Sequence, residues 1–535
     1  MGIFANPLTD LLEYEDFSRD FLKGTDPVGM TGCIDSEKVH FMSTFLGEKK
    51  VQLVVTYNEQ RAREIEEDYK LFCSQVYVIP PRDLIFFSAD LQGNAIIAER
   101  MKAFAALYQN EAKVIITTMD ALMSAAVPFE QLMSHVIKLK EGDELDLEKL
   151  KHDLTVMGYE RVGRVEEPGQ FTVHGGIADV YPLTMEVPVR IELWGDEIDT
   201  IRCFEPQSQR SMDQIESVSV FPAAEVIADD TARRRAVGMI KNELESQLAV
   251  FKKAKEPDKA KRLREETNRI LEALGEDVVL EAPDSYISYF YPRTVQLSEY
   301  FDEKNTLVFL DEPMRLKERG DGVQAEFEES MKNRLEQGFL LPGQTALLTP
   351  AKHVLAAFER GQVAALSSLD SRLADFTVVN SYAVNVQNMN TYREGFELLI
   401  KDLTHWKKEK YRIVLLCPSR TRANRIVNQL IEYDLLAYYS EDEDKKINPG
   451  EIMVTYGNLH RGFLYPMLKF AVITESDIFG VKKKKKEKKS HYQGQRISDF
   501  AQLKPGDYVV HENYGLGIYR GTERQIVDKV TKDYI

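Results

Sequence analysis

Predicted strands alternate with predicted helices between residues 26 and 126. Two stretches with helical periodicity, Glu59–Phe72 and Asn94–Tyr108, separate apolar runs of strand length. Continuously apolar strands joined by helices are typical of a doubly wound parallel sheet with helices on both faces. The predicted strands are Val51–Tyr57, Val76–Pro80 and Lys113–Met119.

A second α/β pattern follows between residues 340 and 480, with an apolar strand at Tyr411–Pro418 and a helix at Thr421–Tyr433. Further strands are predicted at Ile452–Tyr456 and Phe470–Glu475. Residues 230–273 instead predict two highly charged helices broken at Pro257, whose charges we interpret as solvated faces. The fold class predicted from these patterns is α/β with several domains.

Residues Phe171–Arg210 predict a β-meander. Within it, Ile191 and Leu193 alternate with the polar face formed by Arg190, Glu192, Trp194 and Asp196. A Trp among charges on the polar face of a strand fits a protein-docking surface, where Trp and Arg are frequent anchors. It also fits a Trp covered by a neighbouring element, and the residues alone leave both interpretations open.

The charge of the chain is unevenly distributed. Residues 481–535 carry 13 Lys and Arg against 7 Asp and Glu, a net charge of +6. Because the whole chain has a net charge of −17, residues 1–480 carry −23. Such an acidic body does not favour wrapping nucleic acid and favours a protein partner or solvent. The run Lys482–Lys489 predicts a solvated linker, with local nucleic-acid contact as the alternative.

Length and composition indicate a protein of three or four domains, at roughly 150 residues each. No signal pattern opens the sequence, and no apolar run reaches the roughly 18 residues of a membrane span. The four cysteines lack metal-ligand spacing and are predicted to be buried or incidental thiols in a reducing compartment. We therefore expect a cytoplasmic protein.

The segment Gly29–Ser36, GMTGCIDS, occupies the place of a phosphate-binding loop. A working loop requires G-x-x-x-x-G-K-[ST], but Ile34 replaces its second glycine and Asp35 replaces its lysine. The Ile34 side chain would obstruct the phosphate, and the Asp35 carboxylate would repel it. We expect a degenerate nucleotide loop without a cofactor, formed by Gly29, Gly32, Ile34, Asp35 and Ser36.

The apolar segment Thr306–Pro313 ends in Asp311 and Glu312, as do strands that hold Mg²⁺ in nucleotide-binding enzymes. Without a functional phosphate loop, we favour a buried strand with a terminal acidic pair. The nine histidines show no metal-ligand or nucleophile spacing, so we expect no catalytic residue and no metal site within the chain. The alternative is a divergent nucleotidase or helicase that uses residues 26–126 and 230–345.

Four segments together resemble the N-terminal half of bacterial transcription-repair coupling factors. Of these, Leu503–Gly521 resembles the opening of an RNA polymerase interaction module shared with CarD-like proteins. The likeness extends over essentially the whole chain. The four segments are Pro80–Met101, Phe171–Ser211, Val472–Gly480 and Leu503–Gly521.

The resemblance implies a body similar to the damage-recognition ATPase UvrB, but without its functional nucleotide site. It also implies that the segment Pro80–Gly93, with Phe86 and Phe87, is too short for the aromatic DNA-probing hairpin of UvrB. The implied domains are a helix-rich UvrB-like domain 1b (1–25 and 213–345), a degenerate RecA-like domain 1a (26–126), a β-rich domain 2 (127–212), a small α/β domain (346–480), a Lys-rich linker (481–497) and a partial Tudor-like barrel (498–535).

Two sets of contact residues follow from the same resemblance. The family's UvrA-binding positions fall on His174, Arg190 and Trp194, with His174 where an Arg is usual, so that its charge depends on pH near neutrality. The contact with the β subunit of RNA polymerase would fall on the last module. The residues implied there are His511, Tyr514, Gly515 and Tyr519.

The function implied is transcription-coupled nucleotide excision repair, in which a monomeric platform recruits UvrA to RNA polymerase stalled at DNA damage. The family's ATP-driven DNA translocase, with its ATP, Mg²⁺ and most of its DNA contacts, would lie beyond Ile535. The alternatives are a helicase-like enzyme within the segment and a DNA-binding protein that acts through the Lys-rich run.

Overall fold

The computed structural model describes residues 7–48, 50–82, 93–275, 283–370, 376–392, 395–442 and 445–480, together with the backbone of four short strands after residue 507. The chain divides into two units, residues 1–481 and 482–535, which are described separately. Every helix within these ranges is too short or too polar to cross a membrane. The predictions for Phe86, Phe87, Lys482–Lys489, Tyr514 and Tyr519 lie outside the described residues.

The first 220 residues form helices and strands close to the predicted ones. In chain order they are α1 (Leu12–Lys23), β1 (Val28–Thr31), α2 (Asp35–Ser43), β2 (Val51–Thr56), α3 (Glu59–Tyr69), β3 (Val76–Ile79), α4 (Gly93–Tyr108), β4 (Val114–Thr118), α5 (Met119–Met123), β5 (Ala125–Ala126), α6 (Phe129–Met133), β6 (Ile137–Lys140), α7 (Leu147–Val156), β7 (Glu160–Arg161), β8 (Gln170–His174), β9 (Ile177–Val180), β10 (Val189–Trp194), β11 (Glu197–Phe204), β12 (Ser211–Gln214) and β13 (Ser217–Val220).

The rest of the first unit begins with the two charged helices and ends in α/β structure. Its elements are α8 (Asp230–Lys253), α9 (Pro257–Gly275), α10 (Ile287–Phe290), β14 (Val295–Gln296), β15 (Thr306–Asp311), α11 (Pro313–Glu336), α12 (Ala351–Ala356), β16 (Val363–Ser367), β17 (Asn380–Ala383), β18 (Gln387–Asn388), α13 (Phe396–Lys408), β19 (Arg412–Cys417), α14 (Arg420–Glu432), β20 (Ala437–Tyr439), β21 (Ile452–Tyr456), β22 (Phe463–Tyr465), β23 (Phe470–Thr474) and α15 (Glu475–Phe479).

A seven-stranded sheet organises the first unit, in the order β17-β1-β16-β15-β2-β4-β3. All of its neighbouring strands run parallel, as the strand–helix alternation predicts. The sheet does not follow the predicted domain boundary at residue 346, because β16 and β17 pair with β1 on its two edges. Sequence patterns show a strand but not its distant partner, so this pairing was not predictable.

The second α/β sheet begins at Gln387 and has the order β18-β22-β23-β19-β21-β20. Its central strands are parallel, and β22 and β18 extend it in antiparallel orientation. One apolar core joins the two sheets, since Val54 and Phe309 of the first and Leu416 and Val472 of the second belong to the same buried cluster. Helix α2, with Phe41, contributes to this shared core and is buried from Ser36 to Ser43.

A six-stranded sheet, β12-β11-β10-β9-β8-β7, forms the β-rich part of the first unit. It is antiparallel from β8 to β12, which confirms the predicted meander. Residues Phe171, Ile191 and Ile201 point into its core together with Leu154 of α7. Strand β13 returns to pair with β6, so the β structure continues beyond the predicted boundary at residue 212.

The second unit contains two antiparallel hairpins among its described residues. Strands Tyr508–His511 and Gly515–Ile518 pair so that His511 lies opposite Gly515, and Glu523–Val527 pairs with Val530–Tyr534. The predicted return to β structure after the Lys-rich run is therefore confirmed at the level of the backbone.

The four cysteines are free thiols, as the sequence predicts. Cys33, Cys203 and Cys417 are buried, and Cys73 is half-buried.

Gly32 fixes the turn between β1 and α2. Its φ is +84°, and a Cβ at this position would lie 2.1 Å from the carbonyl oxygen of Val384. We expect Gly32→Ala to lower the free energy of unfolding by about 2 kcal/mol or more, through strain and backbone displacement. Urea denaturation would measure this loss. Gly47→Ala is the matched control, because a Cβ added there would have no neighbour within 4 Å; equal stability of the two variants would contradict the prediction.

Candidate functional site

The three predicted docking residues lie on the outer face of the six-stranded sheet. Arg190 pairs with Asp179, and Glu192 pairs with Ile177, which in turn lies opposite His174. Cross-strand partners share a face, so His174 and Arg190 face the same side. A bulge between Glu192 and Leu193 shifts the register, after which Trp194 lies opposite Glu197 at the end of the β10–β11 hairpin.

Trp194 is exposed over 84% of its surface. The interpretation in which a neighbouring element covers this side chain is therefore wrong for the first unit. The hairpin turn at Gly195, with φ of +68°, places Trp194 at the tip of a well-paired strand. A large aromatic side chain held on a paired backbone loses little conformational entropy on binding, which suits an interface anchor.

Arg190 is less exposed than its pattern predicts. Its Nε and Nη2 atoms donate to the two carboxylate oxygens of Asp179, each at 2.8 Å, and its guanidinium lies 4.8 Å from the ring centroid of Phe204. The hydrogen bond to Asp179 raises the already high pKa of Arg190 despite partial burial. The guanidinium is thus held in one orientation, with part of its surface open on the outer face.

His174 is exposed at the end of β8, next to the Gly175–Gly176 turn. Ile177, its cross-strand partner, is 40% exposed and adds an apolar side chain to the same face. Neither Ile177 nor Asp179 is among the residues predicted from the sequence to form the docking surface. Period-two alternation in β9 could have identified both, since they occupy alternate positions of that strand.

The predicted phosphate loop is closed by the chain's own groups. The backbone N–H of Ile34, at the start of α2, donates to Glu37 Oε2 at 3.1 Å. The carbonyl oxygen of Asp35, a residue with φ of +24°, accepts from Arg61 Nη2 at 2.8 Å. The N-cap N–H and the first carbonyl of α2 therefore already have internal hydrogen-bond partners.

The predicted acidic strand end is neutralised by a lysine from α2. Lys38 Nζ donates to Asp311 Oδ1 at 2.7 Å and to Glu312 Oε1 at 2.6 Å, with only 4% of its side chain exposed. Thr56 Oγ1 and Arg61 Nε donate to Asp311 Oδ2 at 2.8 and 3.4 Å. Burial alone would raise the pKa of Asp311, but Lys38 and Arg61 lower it below its usual range.

This cluster lies where parallel strands β2 and β15 end, the edge of a doubly wound sheet at which ligands usually bind. Two protein cations thus surround the carboxylates that would hold a metal in a nucleotide-binding enzyme. The sequence pattern identified Asp311 and Glu312 but missed Lys38 and Arg61, which are distant along the chain. Within the described ranges, no group of three or more His, Cys, Asp or Glu side chains could hold a metal ion.

A loop of the second α/β sheet covers the start of α2. The backbone N–H of Arg461 donates to Ser36 Oγ at 2.9 Å, and that of His460 donates to Asp68 Oδ1 at 2.6 Å. Arg461 Nε also lies 3.7 Å from Asp35 Oδ2. The loop therefore contacts two of the predicted degenerate-loop residues, Asp35 and Ser36, and bridges the two sheets.

Buried carboxylates lie along this contact between the sheets. Burial raises the pKa of Glu37 to about 7, although Tyr465 Oη donates to its Oε1 at 2.7 Å. Burial likewise raises the pKa of Asp68 to about 6, against the hydrogen bonds from Ser36 and His460. Both groups favour the protonated state near neutral pH more than an exposed carboxyl would.

Three family models match separate parts of the chain. The UvrB interaction domain matches residues 137–225, the MFD, D3 domain matches residues 405–478, and the CarD-like/TRCF RID domain matches residues 503–535. The first match contains His174, Arg190 and Trp194, and the second contains most of the second α/β sheet.

Similar proteins include three transcription-repair-coupling factors. That of Bacillus subtilis is 29% identical over 538 residues, which cover 99% of this chain and 45% of that protein. Those of Staphylococcus epidermidis and Staphylococcus haemolyticus are 28% and 29% identical, over 100% and 96% of this chain and 45% and 44% of those proteins. The chain spans less than half the length of these relatives, and the resemblance to the N-terminal part of this family is confirmed.

The buried Glu37 carboxyl makes stability depend on pH. Its folded pKa of about 7 lies above the ordinary value of 4.5, so the native state keeps a proton that the unfolded chain loses. Between these values stability falls as pH rises, by up to about 1.4 kcal/mol per pH unit. We expect Glu37→Gln to remove this decline and to gain most relative to the parent chain above pH 7, measured as urea midpoints at pH 5 and pH 8.

The exposed Glu48→Gln serves as the control and should leave the pH profile of the parent chain unchanged. Asp68 retains its own pH dependence in all three proteins, so the difference between the two variants isolates Glu37. Parallel pH profiles for Glu37→Gln and the parent chain would contradict the assignment.

Proposed function

We propose that this chain is the docking part of a transcription-repair coupling factor, which recruits UvrA to RNA polymerase stalled at DNA damage in the cytoplasm. The observation that carries the proposal is the outer face of the six-stranded sheet. There Trp194 is 84% exposed beside an oriented Arg190, within the segment that matches the UvrB interaction domain. Exposed aromatic and arginine side chains of this kind dominate binding energies at interfaces.

The polymerase contact is proposed for the second unit, through the β subunit, on the basis of the match to the CarD-like/TRCF RID domain. His511 and Gly515 would contribute from its first hairpin, together with Tyr514 and Tyr519. We propose that the chain acts as a monomer. Translocation along DNA, with ATP and Mg²⁺, is assigned to the part of the family's proteins that this chain does not span.

The first parallel sheet is proposed to be a degenerate, UvrB-like nucleotide domain without ATPase activity. Lys38 and Arg61 pair with the acidic strand end, and residues 460–461 cover the start of α2. Nucleotide would have to break a buried ion-pair cluster and displace a loop, both at considerable cost. These contacts favour the docking function over the alternative of a helicase-like enzyme.

Trp194→Ala tests the docking proposal directly. The side chain is exposed, so its removal should leave the fold intact and weaken binding to UvrA from the same source by roughly thirtyfold, equivalent to about 2 kcal/mol. Biolayer interferometry would measure the change. Met212→Ala is the matched control, because Met212 is a 52% exposed apolar residue on β12 of the same sheet.

The contribution of Arg190 to UvrA binding is tested by substituting Arg190 and Asp179 together. Arg190→Ala alone would leave the nearly buried Asp179 carboxylate without its partner and would mix a stability loss with a binding loss. Arg190→Gln with Asp179→Asn removes both charges together. If this double variant and Trp194→Ala both bind UvrA as tightly as the Met212→Ala control, the docking proposal is wrong.

Absence of ATPase activity is the second expectation. Residues 1–535 should neither bind ATP–Mg²⁺ in calorimetric titration nor release phosphate above a buffer control, because Asp35 and the Lys38 pair exclude the phosphates and the metal. Turnover that disappears in Asp311→Asn with Glu312→Gln would establish an active site and refute the proposal. Circular dichroism would verify that this double variant is folded.

A further inference from the structure

A groove of about 660 Å³ lies between the start of α7 and the β10–β11 turn, at the tip of the hairpin that carries Trp194. Apolar side chains form part of its lining, including Leu145, Leu147 and Leu193. The lining also carries five carboxylates and a single lysine, Lys149. The carboxylates are Glu144, Asp146, Glu148, Asp153 and Asp196.

The groove has a rigid backbone frame. The N–H of Leu145 donates to the carbonyl oxygen of Asp196 at 2.8 Å, and the N–H of Ile198 donates to that of Asp143 at 2.9 Å. Gly142 adds a third bond, from its N–H to the carbonyl oxygen of Ile198 at 2.9 Å. The segment before α7 is thereby fixed to the hairpin tip, so the groove exists before any partner binds.

Two of the five carboxylates already have local partners. Asp146 caps α7 by accepting from the backbone N–H groups of Glu148 and Lys149, and Glu148 pairs with Lys151 at 2.6 Å. In the described part of the chain, no cationic side chain forms an ion pair with Glu144, Asp153 or Asp196. These three charges face a concave, partly apolar surface and are available to a cationic partner.

The groove is continuous with the proposed docking strand. Leu193, Gly195 and Asp196 line it, while Trp194, between them in sequence, projects from the outer face of the sheet. Leu193 points toward the inner core and Trp194 to the opposite face, so a partner that wraps around the hairpin tip would contact both Trp194 and the groove.

We propose that this groove binds a segment of UvrA in which Lys or Arg side chains alternate with apolar side chains. The inference rests on the proposed function and specifies the chemistry of its partner. Apolar side chains of the segment would cover the leucines, and its cations would meet Glu144, Asp153 and Asp196. Charge complementarity of this kind speeds association and selects the partner, and it weakens as salt screens it.

Charge reversal in the groove tests the inference. We expect Glu144→Lys with Asp153→Lys, in the full 535-residue chain, to weaken UvrA binding at least roughly tenfold at low salt and to reduce its salt dependence. The matched control is Glu167→Lys with Asp213→Lys, which changes the net charge equally at exposed positions of the same sheet region that do not line the groove. The neutral pair Glu144→Gln with Asp153→Asn should fall between control and reversal.

The outcomes separate the two proposals. If the parent chain does not bind UvrA, the docking function fails. If Trp194→Ala weakens binding but the groove reversal stays within twofold of its charge-matched control, the docking function stands and the groove inference is wrong. If both the reversal and Trp194→Ala weaken binding beyond their controls, both proposals are supported.

A photo-cross-linker identifies the occupant independently of affinity. With p-benzoylphenylalanine in place of Lys149 at the rim of the groove, irradiation in the presence of UvrA should trap a peptide that mass spectrometry identifies as rich in Lys or Arg. The control carries p-benzoylphenylalanine in place of the exposed Glu167, which does not line the groove. A trapped segment without basic residues, or efficient trapping only from the Glu167 position, would overturn the inference.

Discussion

The buried pairing of Lys38 with Asp311 and Glu312 is the interaction on which the first parallel sheet depends. It connects the helix after β1 to the end of β15, two strands away in the sheet. Removing one partner of such a pair leaves an uncompensated charge in the interior, which costs about 3–5 kcal/mol. The same ion pair stabilises this edge of the sheet and would oppose a ligand there, so in the proposed degenerate domain stability and the absence of nucleotide binding would have one cause.

Adjacent residues of α2 connect different parts of the molecule. Successive helical positions point about 100° apart, so Lys38 reaches the first sheet while Glu37 reaches Tyr465 of the second. The apolar core that both sheets share lies around the same helix. The β-rich part has its own separate core, and its outer face carries the exposed Trp194, so the proposed docking surface does not share the residues that stabilise α2.

Local sequence patterns predicted most helices and strands. Strands such as Ile452–Tyr456 are short apolar runs, and helices such as Arg420–Glu432 have apolar residues at helical spacing. They also predicted that Trp194 lies on the outer face. What they could not predict was long-range pairing: that β17 joins the first sheet, that Lys38 reaches Asp311, and that Asp179 holds Arg190. Each depends on residues brought together only by the tertiary fold. Local patterns could not predict the groove at the start of α7 either, because its lining combines residues 137–153 with residues 193–196.

The loop at residues 460–461 has a consequence for how this protein can change over evolutionary time. Restoring a phosphate site would need a glycine for Ile34, a lysine for Asp35, a free acidic pair at Asp311 and Glu312, and withdrawal of that loop. Freeing the acidic pair or withdrawing the loop breaks buried contacts, and either change alone would gain no ligand. The buried ion pairs and the loop contacts therefore oppose a return of the proposed degenerate site to nucleotide binding through single substitutions.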